Sequence, residues 1–286
     1  MWLPTEKTNM CGSKQCYSSQ KSFTATLNWG LYFEKYIHGP VTGVFVKDTV
    51  RLGSFTTEQI FAEVNDVSGL GEMYVEAEWD GVIGMGWPSV FGFAIRPTIF
   101  SLFNSYENIP NQFAFYLPKN PDIKGELVLG GYDPNHFYDD LITERVTSTT
   151  RWTVVIFSVN IGYTVLNCMV TAVIDSGSTF FNVPKAAFEK IVHETGTKMN
   201  QGGYIIDCMR VPFLPNIELE IGGSIWIFTG EDYTINMGNK ICILAISPLE
   251  SDLVDKTTWI LGEIFLKHIY TVFDADKSTV SFAYAK

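Results

Sequence analysis

Thr171-Ala172-Val173-Ile174-Asp175-Ser176-Gly177-Ser178-Thr179-Phe180-Phe181 is the stretch on which the reading of this chain turns. Its apolar, partly β-branched opening reads as a strand that delivers one carboxylate onto a tight turn. Gly177 lets the backbone approach closely, and the hydroxyls of Ser176 and Ser178 can hydrogen-bond the carboxylate. An aspartate in a turn is usually an Asx-type cap and nothing more. Far downstream, however, stands Trp259-Ile260-Leu261-Gly262, again apolar residues closing on a glycine. The sequence holds no second Asp-Ser/Thr-Gly; Asp48-Thr49 and Asp80-Gly81 come nearest, and neither has Gly in the third place.

Composition bounds what such a turn can serve. The chain has 286 residues, 46% hydrophobic and 18% charged, with 24 glycines and 12 prolines, which suits many short strands joined by tight turns. A net charge of -11 argues against nucleic acid and against an anionic membrane surface, both of which need a basic footprint. It fits a soluble extracellular or vesicular protein, or one adapted to an acidic compartment.

Of five cysteines, Cys11 and Cys16 fit a small disulfide loop, and Cys208 and Cys242 flank a strand-rich segment and are expected to pair. Cys168 is left over and is expected to be a buried thiol. Two disulfides place the protein in an oxidising compartment. No Cys-x-x-Cys occurs, and His38, His136, His193 and His268 are scattered, so no metal is expected, and no cofactor is implied. Met1-Trp2-Leu3-Pro4 has neither the basic nor the apolar region of a signal peptide, which conflicts with the disulfides.

Along the chain, strand signals dominate. Residues 43–53 read as a hairpin or bent strand, 125–131 as a short buried strand, and 217–221 as a half-exposed strand turning at Gly222-Gly223. Helices are expected over Lys185–Val192, after a proline, and over Arg96–Ser105. The uncharged run from Trp152 to Ile174 is long enough to span a bilayer, but its Asn, Gly and Thr interruptions read better as paired strands turning near Gly162.

These pieces, in order, resemble the pepsin-like aspartic proteases (pepsin and cathepsin D type). Asp175 to Thr179 resembles the family's second catalytic turn, with Trp259 to Phe265 and Tyr270 to Asp274 as its partner strands. Trp2-Leu3-Pro4 resembles the strand that follows the first catalytic turn. Tyr36-Ile37-His38-Gly39-Pro40-Val41-Thr42-Gly43 resembles the flap, and Asp80-Gly81-Val82-Ile83-Gly84-Met85 the segment bracing the first catalytic loop. Residues 113–117 and 127–131 match the end of the first lobe. The resemblance implies an all-β fold of two lobes, here with the first lobe incomplete. Residues 1–150 would form the N-terminal remnant and 151–286 the C-terminal lobe.

The resemblance also assigns roles. Asp175 is implied as catalytic, supported by Ser176, Gly177, Ser178 and Thr179. Tyr36 and Gly39 belong to the flap, Tyr36 bonding Trp2, while Trp79 and Val82 resemble the wall of a substrate pocket. The family hydrolyses peptide bonds through two aspartates that activate a water, so the partner would be a polypeptide substrate. The first aspartate should lie just before Trp2 and is expected to be missing from this chain. Three readings follow: a fragment of a secreted or vesicular endopeptidase, monomeric when complete; a non-catalytic homologue whose cleft binds peptides or regulates; or a dimer in which each copy donates its Asp175.

Overall fold

The computed structural model describes residues 1–6, 8, 12, 14–36, 39–87, 95–120, 122–200, 203–250 and 255–286, without the side chains of 27–29. Two compact units emerge, Met1–Ile109 and Pro110–Lys286.

The first unit is built on β1 (Trp2–Pro4), β2 (Thr26–Lys35), β3 (Pro40–Leu52) and β4 (Phe55–Asp66), hydrogen-bonded in the order β1-β4-β3-β2. Residues 43–52 belong to one long strand whose hairpin turn to β4 lies at Gly53 and Ser54, Leu52 facing Phe55. Alternation of side chains turns Val41, Phe45, Ala62 and Val64 inward, where they meet Trp2, Tyr32 and Tyr74, the last carried on α1 (Gly71–Glu76). The second helix, α2 (Thr98–Asn104), starts after Pro97 and buries Ile99, Phe100, Leu102 and Phe103. It lies within the span expected from sequence.

The second unit begins with β5 (Gln112–Tyr116), β6 (Glu126–Leu129), β7 (Ile142–Arg145), β8 (Thr153–Ile161), β9 (Thr164–Ile174) and β10 (Phe181–Val183). After α3 (Lys185–Thr195) come β11 (Lys198–Asn200), β12 (Gly203–Asp207), β13 (Ile217–Ile221), β14 (Ser224–Phe228), β15 (Thr234–Asn236), β16 (Ile241–Leu244) and β17 (Ile246–Pro248). It closes with β18 (Trp259–Leu261), α4 (Glu263–His268), β19 (Ile269–Asp274) and β20 (Thr279–Tyr284). Three sheets result: β14-β13-β8-β9-β18-β10-β17, β11-β12-β16-β15, and β6-β5-β19-β20-β7. The uncharged run is the β8–β9 hairpin, and no described helix is long and apolar enough to cross a membrane.

The division near Thr150 falls inside the second unit, because β5 and β6 share a sheet with β19 and β20 from the far end of the chain. Two further expectations change. The strand at 126–129 is not buried; it is the edge of its sheet, and Glu126 and Leu127 are exposed. Cys168 is an exposed free thiol, not a buried one. Its neighbour Met169 takes a positive φ of 49°, which breaks the in–out alternation of β9 and leaves both side chains outward. Cys208 and Cys242 are disulfide-bonded, with Cα atoms 5.1 Å apart. Cys16 is also disulfide-bonded, and its expected partner Cys11 lies outside the described residues.

Candidate active site

Asp175 stands at the C-terminal end of β9, where the strand gives way to a turn. Beside it β18 runs parallel, pairing Trp259 with Ala172, Ile260 with Val173 and Leu261 with Ile174. The backbone N–H of Asp175 donates to the Leu261 carbonyl at 3.1 Å, so the two distant motifs become one structural unit. The turn closes through Ser178 N–H to the Asp175 carbonyl at 3.2 Å. Immediately after β18 the chain enters α4, and Glu263 N–H donates to the Ser178 carbonyl at 2.7 Å while Ile264 N–H donates to that of Thr179 at 3.3 Å. The residue between, Gly262, has no room for a side chain: a Cβ would sit 2.3 Å from the Ser178 carbonyl oxygen and 2.5 Å from that of Phe180. Glycine is required here by close backbone approach, not by its dihedral angles.

The Asp175 side chain is half-buried and accepts from Gly177 N–H at Oδ1, 2.9 Å away. Burial pushes its pKa above the ordinary carboxylate value, against the opposing pull of the Gly177 N–H and the positive charge of Arg151. Ser176 and Thr179 are exposed. The hydroxyl of Ser178 turns away from the carboxylate expected to hold it: it donates to the Phe180 carbonyl at 3.3 Å and accepts from Asn182 Nδ2 at 2.7 Å. Asn182 in turn accepts from Ser247 Oγ at 2.9 Å. Asn182 and Ser247 were missed in the sequence; the available signal was a lone amide in the apolar run Phe180-Phe181-Asn182-Val183.

In the first unit, Trp2, Tyr36, Tyr74, Trp79 and Val82 gather on one side of the sheet. Trp2 Nε1 donates to the Tyr36 hydroxyl at 2.9 Å. Trp2 exchanges backbone hydrogen bonds with Val82, at 2.9 and 3.0 Å. Its ring lies 5.9 Å from that of Tyr74 and 6.0 Å from that of Trp79. Burial raises the Tyr36 pKa, and the hydroxyl of Tyr74, pushed up to about 12 chiefly by burial, donates to the Asp80 carbonyl at 2.7 Å. Tyr36 and Gly39 close the β2–β3 hairpin with mutual backbone bonds of 3.0 and 3.2 Å. Gly39 has φ +145° and packs on Gly69, whose carbonyl oxygen would be 2.0 Å from any Cβ. Ile37 and His38 lie outside the described residues.

Asp48, one of the look-alikes, is a buried structural group. It accepts from Tyr17 at 2.6 Å, from Thr24, and from Thr49 N–H at 2.7 Å; burial raises its pKa, but these bonds outweigh it and hold it below the ordinary value. One histidine stands among carboxylates. His136 pairs with Glu126 and lies 3.8 Å from Asp133, its ring stacked 4.0 Å from that of Tyr116. One donor atom from each of Glu126, Asp133 and His136 falls within 4.8 Å of the others, an arrangement sequence spacing did not reveal.

Comparison with known proteins agrees with this architecture. The family model described as eukaryotic aspartyl protease matches residues 1–285. Cathepsin D of Chionodraco hamatus is 30% identical over 299 residues, covering 100% of this chain and 75% of that protein. Cathepsin D of Clupea harengus is 31% identical over 297 residues, covering 99% of this chain and 74% of that protein. Renin-2 of Mus musculus is 29% identical over 297 residues, covering 100% and 74%.

Proposed function

Given that the chain belongs to the eukaryotic aspartyl protease family, of pepsin-like fold, we propose that it is part of an aspartic endopeptidase whose chemistry uses Asp175. One observation carries the reading: the Asp175 turn is locked against Gly262, with burial favouring the protonated carboxyl. In such a site two carboxylates share one proton, because like charges in contact cannot both ionise. The ionised member takes a proton from a bound water as its oxygen attacks the scissile carbonyl carbon. The protonated member donates to the carbonyl oxygen, giving a tetrahedral diol that then breaks the C–N bond with a proton passed to the leaving amine. The pair titrates as a unit.

The sequence holds one Asp-Ser/Thr-Gly, so this reading requires a second carboxylate opposite Asp175, contributed by residues outside this sequence. Tyr36, Gly39, Trp2, Trp79 and Val82 are then the flap and substrate wall, holding a polypeptide chain and limiting water. A secreted or acidic-vesicle setting follows from the disulfide chemistry and the acidic composition. We take the working protein to be monomeric.

The single motif favours a second reading, a peptide-binding homologue without turnover. The deciding experiment is an acid-pH digest of an unstructured protein, read by mass spectrometry with and without a statine-type inhibitor. Inhibitor-sensitive cleavage supports the first reading. Inhibitor binding without cleavage supports the second, and neither binding nor cleavage removes both.

A further inference from the structure

A cavity of about 410 Å³ opens on the small sheet β11-β12-β16-β15, and its walls carry Lys198, Arg210 and Lys240. Register explains the grouping. Lys198 pairs with Ile205, Ile205 with Ile243, and Asp207 with Ile241, so Lys198, Ile205, Asp207 and Ile241 project from the same face. The 3₁₀ turn Cys208–Phe213 brings Arg210 onto that face. Its guanidinium lies over the bare backbone of Gly196, where a Cβ would meet Nη2 at 3.3 Å. The Cys208–Cys242 disulfide ties this turn to β16, and Cys208 N–H donates to the Lys240 carbonyl at 3.0 Å. The cations therefore stand on a braced scaffold.

Their charge is only partly compensated, three cations facing one carboxylate in the cavity wall. Among the described residues, the side chains of Lys198, Arg210 and Lys240 make neither an ion pair nor a hydrogen bond. The one carboxylate in the wall, Asp207, already uses Oδ1 to accept from Met209 N–H at 3.0 Å. Three cations around one cavity are conspicuous in a chain of 31 acidic and 20 basic residues, where carboxylates are the commoner neighbour. Like charges so placed repel, and an anion seated among them relieves that repulsion. An arginine fork and two mobile ammonium groups are the donors that suit a tetrahedral oxyanion. Ile205 and Ile241 add an apolar wall, and the volume exceeds that of a bare oxyanion, so there is room for a carbon skeleton attached to it.

We propose that the cavity bounded by Lys198, Arg210 and Lys240 binds an organic phosphate or sulfate monoester, its oxyanion on the three cations and its carbon portion against Ile205 and Ile241. It shares no residue with the Asp175 turn, so it stands whether or not the chain cleaves peptides.

The test is calorimetry on the full chain at neutral pH and matched ionic strength, with phenyl phosphate, phenyl sulfate and inorganic phosphate as probes. One saturable site is expected for an ester, tighter than for inorganic phosphate. Affinity should fall about tenfold or more in Arg210→Gln and in Lys198→Gln/Lys240→Gln, the loss typical of a charged hydrogen bond. Arg210→Lys should retain part of it, and Lys124→Gln all of it. The ratio of the two esters names the source of the oxyanion. Absence of saturable ester binding, or equal binding by the glutamine variants, overturns the proposal. Thermal melts without ligand should fall no lower than wild type, because all three cations are exposed and each replacement relieves like-charge repulsion, so a binding loss is not a folding loss.

Discussion

Replacing Gly262 by alanine is the sharpest structural perturbation available in the Asp175 turn. The new methyl would lie 2.3 Å from the Ser178 carbonyl oxygen, 2.5 Å from that of Phe180 and 2.8 Å from the Ser178 carbonyl carbon. Ordinary contact needs at least 3.4 Å, so one backbone segment must retreat by about 1 Å. None of these atoms ends a flexible side chain. The retreat breaks the 2.7 Å bond from Glu263 N–H to Ser178 and strains that from Asp175 N–H to Leu261. Overpacking of this kind costs about 1–3 kcal/mol, and a lost backbone hydrogen bond adds about 1 kcal/mol. A total of about 3 kcal/mol lowers the melting temperature of a unit this size by about 6–12 °C. The assay is a thermal melt of Gly262→Ala beside Gly131→Ala, where a Cβ meets nothing within 4 Å. The second variant should melt with wild type. A shift below about 2 °C in Gly262→Ala would refute the claim that the two backbones are locked together.

Three further outcomes follow from the same geometry. Asn182→Ala strands the Ser178 and Ser247 hydroxyls, and should cost about 1–2 kcal/mol in urea unfolding with little change in m-value. Asp232 is half-buried, its side chain largely covered, and takes bonds from Lys119 at 2.6 Å and from Thr229 N–H and Oγ1 at 2.8 Å; despite desolvation, its interactions with His268 and Lys119 hold its carboxyl well below the usual range. A depressed carboxylate stabilises fully above its unfolded pKa near 4 and loses that contribution only as pH falls through the folded value. Asp232→Asn should therefore cost about 2–3 kcal/mol at neutral pH, with the gap to wild type closing only in strong acid, in melts run across pH. Asp175 runs the other way: a raised pKa means the ionised form burdens the fold above that pKa, and the burden lifts as pH falls. Asp175→Asn should thus melt higher than wild type at neutral pH, and the gain should vanish toward pH 3.

Much of this was legible in the residues. Thr171–Ile174 announces β9 through its apolar, partly β-branched run ending at a turn, and the alternation Ile217-Glu218-Leu219-Glu220-Ile221 announces β13 through its period of two. Pro184 and the helical spacing after it mark α3. What sequence hides is non-local. Nothing in Ile260 or Val173 says that they pair in parallel, and that pairing is what puts Gly262 beneath the Asp175 turn. The Ser178 hydroxyl looked free for the carboxylate until the fold placed Asn182 beside it. Cys168 looked like a core residue because a single positive-φ neighbour, which reverses its face, leaves no sequence signature. The division of the fold after Ile109 differs from the expected one near Thr150 for a related reason: β19 joins β5 across more than half the chain.

The measurement closest to the central claim is kcat/KM for a fluorogenic peptide at acid pH, using the protein from its natural source and the same protein carrying Asp175→Asn. If Asp175 is one carboxyl of a proton-sharing pair, the substitution lowers kcat/KM by roughly 10³-fold or more while the fold persists, because the amide can neither take up nor release the proton. Cleavage that survives Asp175→Asn essentially unchanged would contradict the account.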